Sequence, residues 1–180
     1  MPSRRLGSRF RAYEEPMLDE YLSWKPFFEV VPLEAADCAD VSDLHGERFP
    51  RQWSDGEFQS LAMEQNVFGF VARQTNAFFS QPLGGFVLAR EAAGEAEILT
   101  VAVSEKFGRQ GLGWRLMQAA LREAAARGAE SMFLEVEAEN RAAVQLYAKL
   151  GFLKVAERPA YYLGPDGRRT AALVMSRAFR

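Results

Sequence analysis

The sequence predicts an α/β protein built on a mixed sheet, and three observations carry that prediction. From Pro26 onward, segments with strand periodicity alternate with segments of helical periodicity, tight turns join strand candidates near both ends, and no repeat or low-complexity linker divides the chain. Alternation alone would suggest a parallel sheet, but the hairpins put antiparallel pairs into it. One domain over residues 26–180 is expected, behind an extension, residues 1–25, with no fold of its own.

The first strand is expected over Phe27–Leu33 and a helix over Glu34–Gly46, whose acidic first turn, Glu34 and Asp37, suits the positive end of the helix dipole. Phe49-Pro50 breaks that helix, because the residue before proline is pushed out of helical geometry. Ser54-Asp55 can cap a short helix running to Met63. Strands follow near Val67–Arg73, Leu83–Arg90 and Ala96–Val103, the last two joined by a turn at Ala93-Gly94. Gly111–Arg127 is the strongest helix: Leu112, Leu116, Ala120 and Ala124 form one i,i+4 row beside Met117, Leu121 and Ala125, and Gly128 stands where a left-handed C-cap is wanted. Ser131–Glu137 alternates as a strand, with Met132, Leu134 and Val136 on one face and Phe133, Glu135 and Glu137 on the other. Arg141–Leu150 is a second amphipathic helix, capped by Asn140 and stopped by Gly151. Strands near Phe152–Tyr162 and Ala171–Ser176, separated by Gly164-Pro165-Asp166-Gly167, close the domain.

Composition narrows the function classes. With 180 residues, 48% hydrophobic and 26% charged, the chain resembles ordinary globular proteins and needs no staple to hold its core. Its one cysteine, Cys38, rules out an internal disulfide and a thiolate zinc cluster and fits a reducing compartment, so no metal is expected. Twenty-two basic against 24 acidic residues, a net charge of −2, argue against direct nucleic-acid binding. The one basic concentration, Arg4, Arg5, Arg9 and Arg11, runs straight into Glu14, Glu15, Asp19 and Glu20, whereas a transit peptide or RNA-binding arm usually stays free of acids. No run approaches the ~18 apolar residues of a membrane span, and no apolar signal core follows Met1, so no membrane partner and a cytoplasmic setting are expected.

Two segments could carry chemistry. Lys106–Leu116, KFGRQGLGWRL, sits between a strand and the strongest helix; its glycines let a ligand approach the backbone, and the unpaired N–H groups of a first helical turn suit a phosphate or pyrophosphate. It lacks the Lys-Ser/Thr pair of a Walker loop and the third glycine of a Rossmann fingerprint, and by itself is equally well read as a tight turn. In Leu134–Phe152, LEVEAENRAAVQLYAKLGF, each residue also has a structural explanation: Asn140 caps a helix, Tyr147 and Leu150 join Ala143 and Leu146 on a core stripe, and Glu135 is a charged strand residue.

Taken together, these motifs resemble the GNAT superfamily of acetyl-coenzyme A dependent N-acetyltransferases, and within it the RimI-like ribosomal-protein-alanine N-acetyltransferases. The resemblance spans about Val30–Met175. RQGLG at Arg109–Gly113 looks like the family's pyrophosphate loop and EILTVAV at Glu97–Val103 like the strand before it. LEVEAENRAAVQLYAKLGF matches the RimI signature almost throughout, Phe49-Pro50 with Trp53 resembles the acceptor-side loop, and Arg158–Tyr162 the C-terminal hairpin. The resemblance implies the GNAT fold, a mostly antiparallel mixed sheet splayed at the cofactor site and flanked by helices. It also implies that Val101, Ala102 and Val103 offer backbone groups to the pantetheine arm, as an added strand pairs with an edge. Arg109, Gln110, Gly111, Leu112, Gly113 and Trp114 would wrap the pyrophosphate, Asn140 would hydrogen-bond near the pantetheine, Glu135 would be the general base and Tyr147 the general acid. Gly108 stands where the family usually has Gln or Arg, which removes a side-chain contact to the phosphates.

The chemistry asks for those residue types. An amine must lose a proton to attack a thioester, and a departing thiolate, conjugate base of a thiol with pKa of about 8.5, leaves better when it is protonated; a tyrosine, at roughly 10, still holds a proton to give. The oxyanion of the tetrahedral intermediate needs a backbone donor, expected along Val101–Val103. Cys38, on the first helix, lies away from these motifs, which favours direct attack in a ternary complex over an acyl-enzyme. At pH 7 an α-amine is roughly 10% neutral and a lysine amine only about 0.04%, so one modest carboxylate base suits a chain N-terminus best, an Ala-initiated ribosomal protein by the resemblance. Acetylation of a lysine or small amine is the alternative, and a non-catalytic coenzyme A binding module a second. His45, the one histidine, reads as a helix-end residue interacting with the dipole, or as an aid to the acceptor loop; Tyr161 and Tyr162 could line the acceptor site or pack the hairpin.

Overall fold

Among the described residues, period-2 apolar segments pair into seven strands, and the helices between them cover both faces of one sheet. The computed structural model describes residues 25–163, 167 and 169–179; the expected extension, apart from Lys25, and the Gly164-Pro165-Asp166 part of the expected turn lie outside the described residues. The order is β1 (Phe28–Pro32), α1 (Cys38–Arg48), α2 (Asp55–Ala62), β2 (Val67–Gln74), β3 (Leu83–Ala92), β4 (Glu95–Val103), α3 (Leu112–Ala126), β5 (Ser131–Glu137), α4 (Arg141–Lys149), β6 (Leu153–Leu163) and β7 (Arg169–Ala178). The strands lie in the order β1-β2-β3-β4-β5-β7-β6; every neighbouring pair is antiparallel except β4–β5.

Two cores result, one on each face. The larger is built on α3, where Leu112, Leu116, Met117, Ala120 and Ala124 are buried against Val87, Ala96, Met132 and Leu134; Ala125, expected on this face, is exposed. The smaller packs Cys38, Val41 and Leu44 of α1 and Phe58 of α2 against Val71, Phe86, Leu88 and Ala102. Burial of such side chains contributes about 1.5–3 kcal/mol each, which is what holds helices this short.

The helix ends follow the local chemistry. Ser54 caps α2 with a reciprocal Glu57 capping box, Asn140 accepts from the Ala143 N–H at 3.2 Å, and Gly128 and Gly151 take φ of +92° and +87° after α3 and α4. The first helix differs from expectation. Ala35–Asp37 forms a separate 3-10 turn, with the Asp37 carboxylate accepting from the Glu34 N–H at 2.9 Å, and α1 itself starts at Cys38 and passes Gly46 to end before Phe49. Gly46 lets the Gln52 side chain lie close over the helix, 2.7 Å from where a Cβ would stand.

Two irregularities in the sheet shape what lies beside it. Opposite Leu88 and Ala89 the register passes from Thr100 to Ile98, so Leu99 is an extra residue in β4. This bulge reverses the alternation: Ala96 and Ile98 face the α3 core before it, Val101 and Val103 after it, and Leu99 and Ala102 turn to the opposite core. The second is between β4 and β5, which pair only from Glu95 to Glu97 against Ser131 to Phe133. Beyond that the two strands diverge, and Ile98–Val103 has strand pairing on its β3 edge alone.

Candidate active site

The sequence-selected residues lie on the elements that flank the opening between β4 and β5. One wall is β4 at Val101, Ala102 and Val103; Ala102 buries its side chain in the α1–α2 core, so it offers the opening its backbone alone. At the end of β4 a 3-10 turn, Glu105–Phe107, anchors the chain through Phe107 set edge-on against Phe28, ring centroids 4.8 Å apart. The stretch that follows is exposed from Gly108 to Gly111, with Arg109 at φ +63° and Gly111 at +74°. Left-handed backbone is strained for an arginine and ordinary for a glycine, and two such residues so close turn successive N–H groups toward one side. Gly108 itself is extended, at φ −57°, so its backbone does not call for a glycine.

The start of α3 completes that wall. Its N-cap is Gly111, with no side-chain cap, and its first turn carries no acidic residue. Its amides and the positive end of its dipole are therefore left for an anion. The contrast with α2 is direct, since Ser54, Asp55 and Glu57 there satisfy the first turn internally. Leu112 is buried in the core and contributes only its amide, Trp114 is half-buried against the same core, and Gly113 fits beneath α4, where a Cβ would stand 3.2 Å from Leu146.

The opposite wall is β5 and α4. Glu135 projects from the face of β5 opposite Leu134 and Val136, its side chain 27% exposed, and its Oε1 lies 3.0 Å from Nη2 of Arg158 on β6. Tyr147, on α4, is buried, with Phe152 packed edge-on at 6.1 Å. Burial, with a contribution from Tyr162, pushes its hydroxyl up to about 12, so it keeps its proton throughout the neutral range. Tyr162 is half-buried and pushed up by burial, then by Glu135, Tyr161 and Glu137, which places it electrically between the carboxylates and Tyr147. Tyr161 and Tyr162 are edge-on to each other at 5.3 Å, with Tyr161 half-exposed and Tyr162 turned inward. Asn140, at the head of α4, spends its side-chain oxygen on the Ala143 cap, which leaves the amide NH2 end for a second task.

Above the sheet on the α1–α2 side, the Phe49–Ser54 loop is fixed by three side chains. Ser42 Oγ donates to the Trp53 carbonyl at 2.7 Å, Gln52 Nε2 donates to the Ser42 carbonyl at 3.0 Å, and the Trp53 N–H donates to His45 Nδ1 at 3.2 Å. His45 stacks on Phe49 at 4.3 Å and on Trp53 at 5.1 Å, and burial pushes its pKa down. The expectation that His45 interacts with the helix dipole is therefore corrected, because that interaction needs a charged ring. An Nδ1 that accepts a backbone N–H must be unprotonated, and the ring serves as a neutral support for the loop.

Sequence reasoning names residues on both walls but misses three features. The partnership of Glu135 with Arg158 is one, and the support of Trp53 by Ser42, His45 and Gln52 another. The third is Thr100, beside the bulge, whose buried Oγ1 has no hydrogen-bond partner. Only Pro159 gave a hint of the first, since proline inside a strand marks a bulge.

A sheet parted at its one parallel junction, with a bare helix start at the mouth, defines a ligand-binding α/β fold, and the acetyltransferase (GNAT) family matches residues 38–152 of it. The chain belongs to that family. It is 36% identical to the [Ribosomal protein bS18]-alanine N-acetyltransferase of Escherichia coli strain K12 over 142 residues, covering 79% of this chain and 92% of that protein. It is 27% identical to N-alpha-acetyltransferase 30 of Schizosaccharomyces pombe, over 78% of this chain and 94% of the relative. The crystal structure of the Escherichia coli ribosomal-protein-S18-alanine N-acetyltransferase superposes with a TM-score of 0.75 and 28% identity, covering 84% of this chain and 94% of that one.

Proposed function

We propose that the protein transfers the acetyl group of acetyl-coenzyme A to the N-terminal α-amine of another protein in the cytoplasm, an Ala-initiated ribosomal protein being the acceptor. The observation that carries this reading is the opening between β4 and β5, with Glu135 and Tyr147 on one side and an unpaired strand edge leading to a bare helix start on the other. The similarity to bS18-alanine N-acetyltransferases over nearly their full length supports the choice of acceptor.

The residues present fit the co-substrate, which supplies an activated acetyl thioester. The free edge of Val101–Val103 matches an amide-bearing arm, and the amides from Arg109 to Trp114, with the Arg109 charge, match a pyrophosphate. Asn140 can donate from its amide to the same arm while capping α4. Glu135 takes the proton of the acceptor amine directly or through a water. Tyr147 holds an O–H on the side where thiolate charge develops. Its part is that of the acid, a donor whose hydrogen bond strengthens as the thiolate forms. Cys38 is sealed in the smaller core with its pKa raised by burial, which supports direct attack in a ternary complex.

Mass spectrometry of an Ala-initiated peptide with internal lysines, incubated with the protein and acetyl-coenzyme A, tests the proposal. Acetyl on the terminal amine is expected; acetyl confined to lysine overturns the acceptor, and no transfer to any amine overturns the enzymatic reading.

A further inference from the structure

The strand β6 is interrupted where it faces the site. Arg158 pairs with Ala172 and Tyr162 with Thr170, so Pro159, Ala160 and Tyr161 stand opposite Ala171 alone. Ala160 is held at φ +53°, a strained conformation for a residue with a Cβ, and Arg169 Nη1 donates to its carbonyl at 3.2 Å. The ladder resumes at Tyr162; ahead of the interruption an earlier register shift, with Val155 as the extra residue, sets Arg158 on the face of Glu135, and its side chain crosses β7 to reach β5. The residue it crosses is Ala172, in register with both Arg158 and Glu137, whose methyl leaves a long side chain room to pass. Glu137 is already engaged by the Thr170 hydroxyl, and the guanidinium pairs with Glu135 at 3.0 Å while its Cζ lies 5.5 Å from the centre of the Tyr161 ring.

An ion pair whose arginine is more than half exposed adds little to stability, so stability does not account for it. Geometry does. We propose that Arg158 is a positioning residue for Glu135: it holds Oε1, which leaves Oε2 to face the acceptor amine, and by lying over Tyr161 it couples the aim of the carboxylate to the acceptor side of the site. The inference rests on the proposed role of Glu135 as proton acceptor.

A double-mutant cycle tests it, with turnover of the Ala-initiated peptide measured for the wild type, Arg158→Gln, Glu135→Gln and the double variant. Arg158→Gln is expected to lower kcat about tenfold, the scale of a misaimed catalytic group, with the KM for acetyl-coenzyme A unchanged. In the Glu135→Gln background the same change is expected to have no further effect, because the group it positions is gone. Arg158→Lys, which keeps the charge but not the planar fork, should recover part of the loss and serves as the second variant if the glutamine protein folds poorly. An equal loss in both backgrounds, or no loss in either, overturns the inference while leaving Glu135 its role. Wild-type turnover by Glu135→Gln alone overturns that role and the inference with it.

Discussion

The two junctions of β4 are built to opposite ends. On its β3 side it pairs along its whole length, from Ala92↔Glu95 to Gly85↔Val103, with Leu99 as a bulge; on its β5 side it pairs over three residues and then parts. The first junction is closed by its ladder, with Gly85 set so close that a Cβ would stand 2.7 Å from the Ala102 carbonyl, while beside it Gly84 packs under Phe28 and Leu112, 2.4 and 2.8 Å from where its Cβ would stand. The second is lined by charged and hydroxyl-bearing side chains on β5, β6 and α4. Rigidity on one side is what allows an opening on the other: Ala102 and Leu112 present backbone to the opening because their side chains are clamped into the two cores.

The sharpest way to break the contrast is at the open junction. Tyr147→Phe should cut turnover about 100-fold, the usual scale for a lost acid or its hydrogen bond, with affinity for acetyl-coenzyme A nearly unchanged by calorimetry. Equal losses in both would reduce Tyr147 to a packing residue. At the closed junction, Gly84→Ala should cost about 2 kcal/mol in chemical denaturation and weaken cofactor binding as well, because its methyl collides with the first residue of α3. A loss of stability with cofactor affinity intact would mean that the start of α3 is not held through β3.

Smaller effects test the edges of the comparison. Thr100→Val, which removes the buried hydroxyl without a partner, should raise stability by about 1 kcal/mol by the same assay. On the α1–α2 face, His45 is pushed down by burial, so the folded protein resists protonating it while the unfolded chain does so near pH 6.5. Its contribution is therefore complete above about pH 6.5 and declines as pH falls toward the lowered folded value. Denaturation curves from pH 8 to 5 should show this slope, and His45→Gln should flatten it; an unchanged slope would assign the effect to another group.

Much of the frame was readable because it rests on local rules. Ser54, Asn140, Gly128 and Gly151 mark helix ends through their own backbone chemistry, and the Leu112, Leu116, Ala120, Ala124 row marks a buried face by spacing alone. The residues on both walls of the opening were readable through family motifs. What stayed hidden depends on partners remote in sequence. The bulge at Leu99 exists only relative to β3, and Arg158 meets Glu135 only across β7, after a register shift at Val155 that exists only relative to that strand. The state of His45 is hidden for a related reason: its place near a helix end points to the dipole, while Phe49, Trp53 and Phe58 bury it as a neutral ring.

The burial of Cys38 has a practical consequence. It is the chain's one thiol, packed beneath α1 with no exposed surface and its ionisation suppressed. The proposed reaction releases coenzyme A as a free thiol, so a thiol-reactive dye added during turnover would colour with product against a silent protein background. Without substrate, the same dye becomes a clock for the opening of the α1 layer, each labelled molecule recording one exposure of that core.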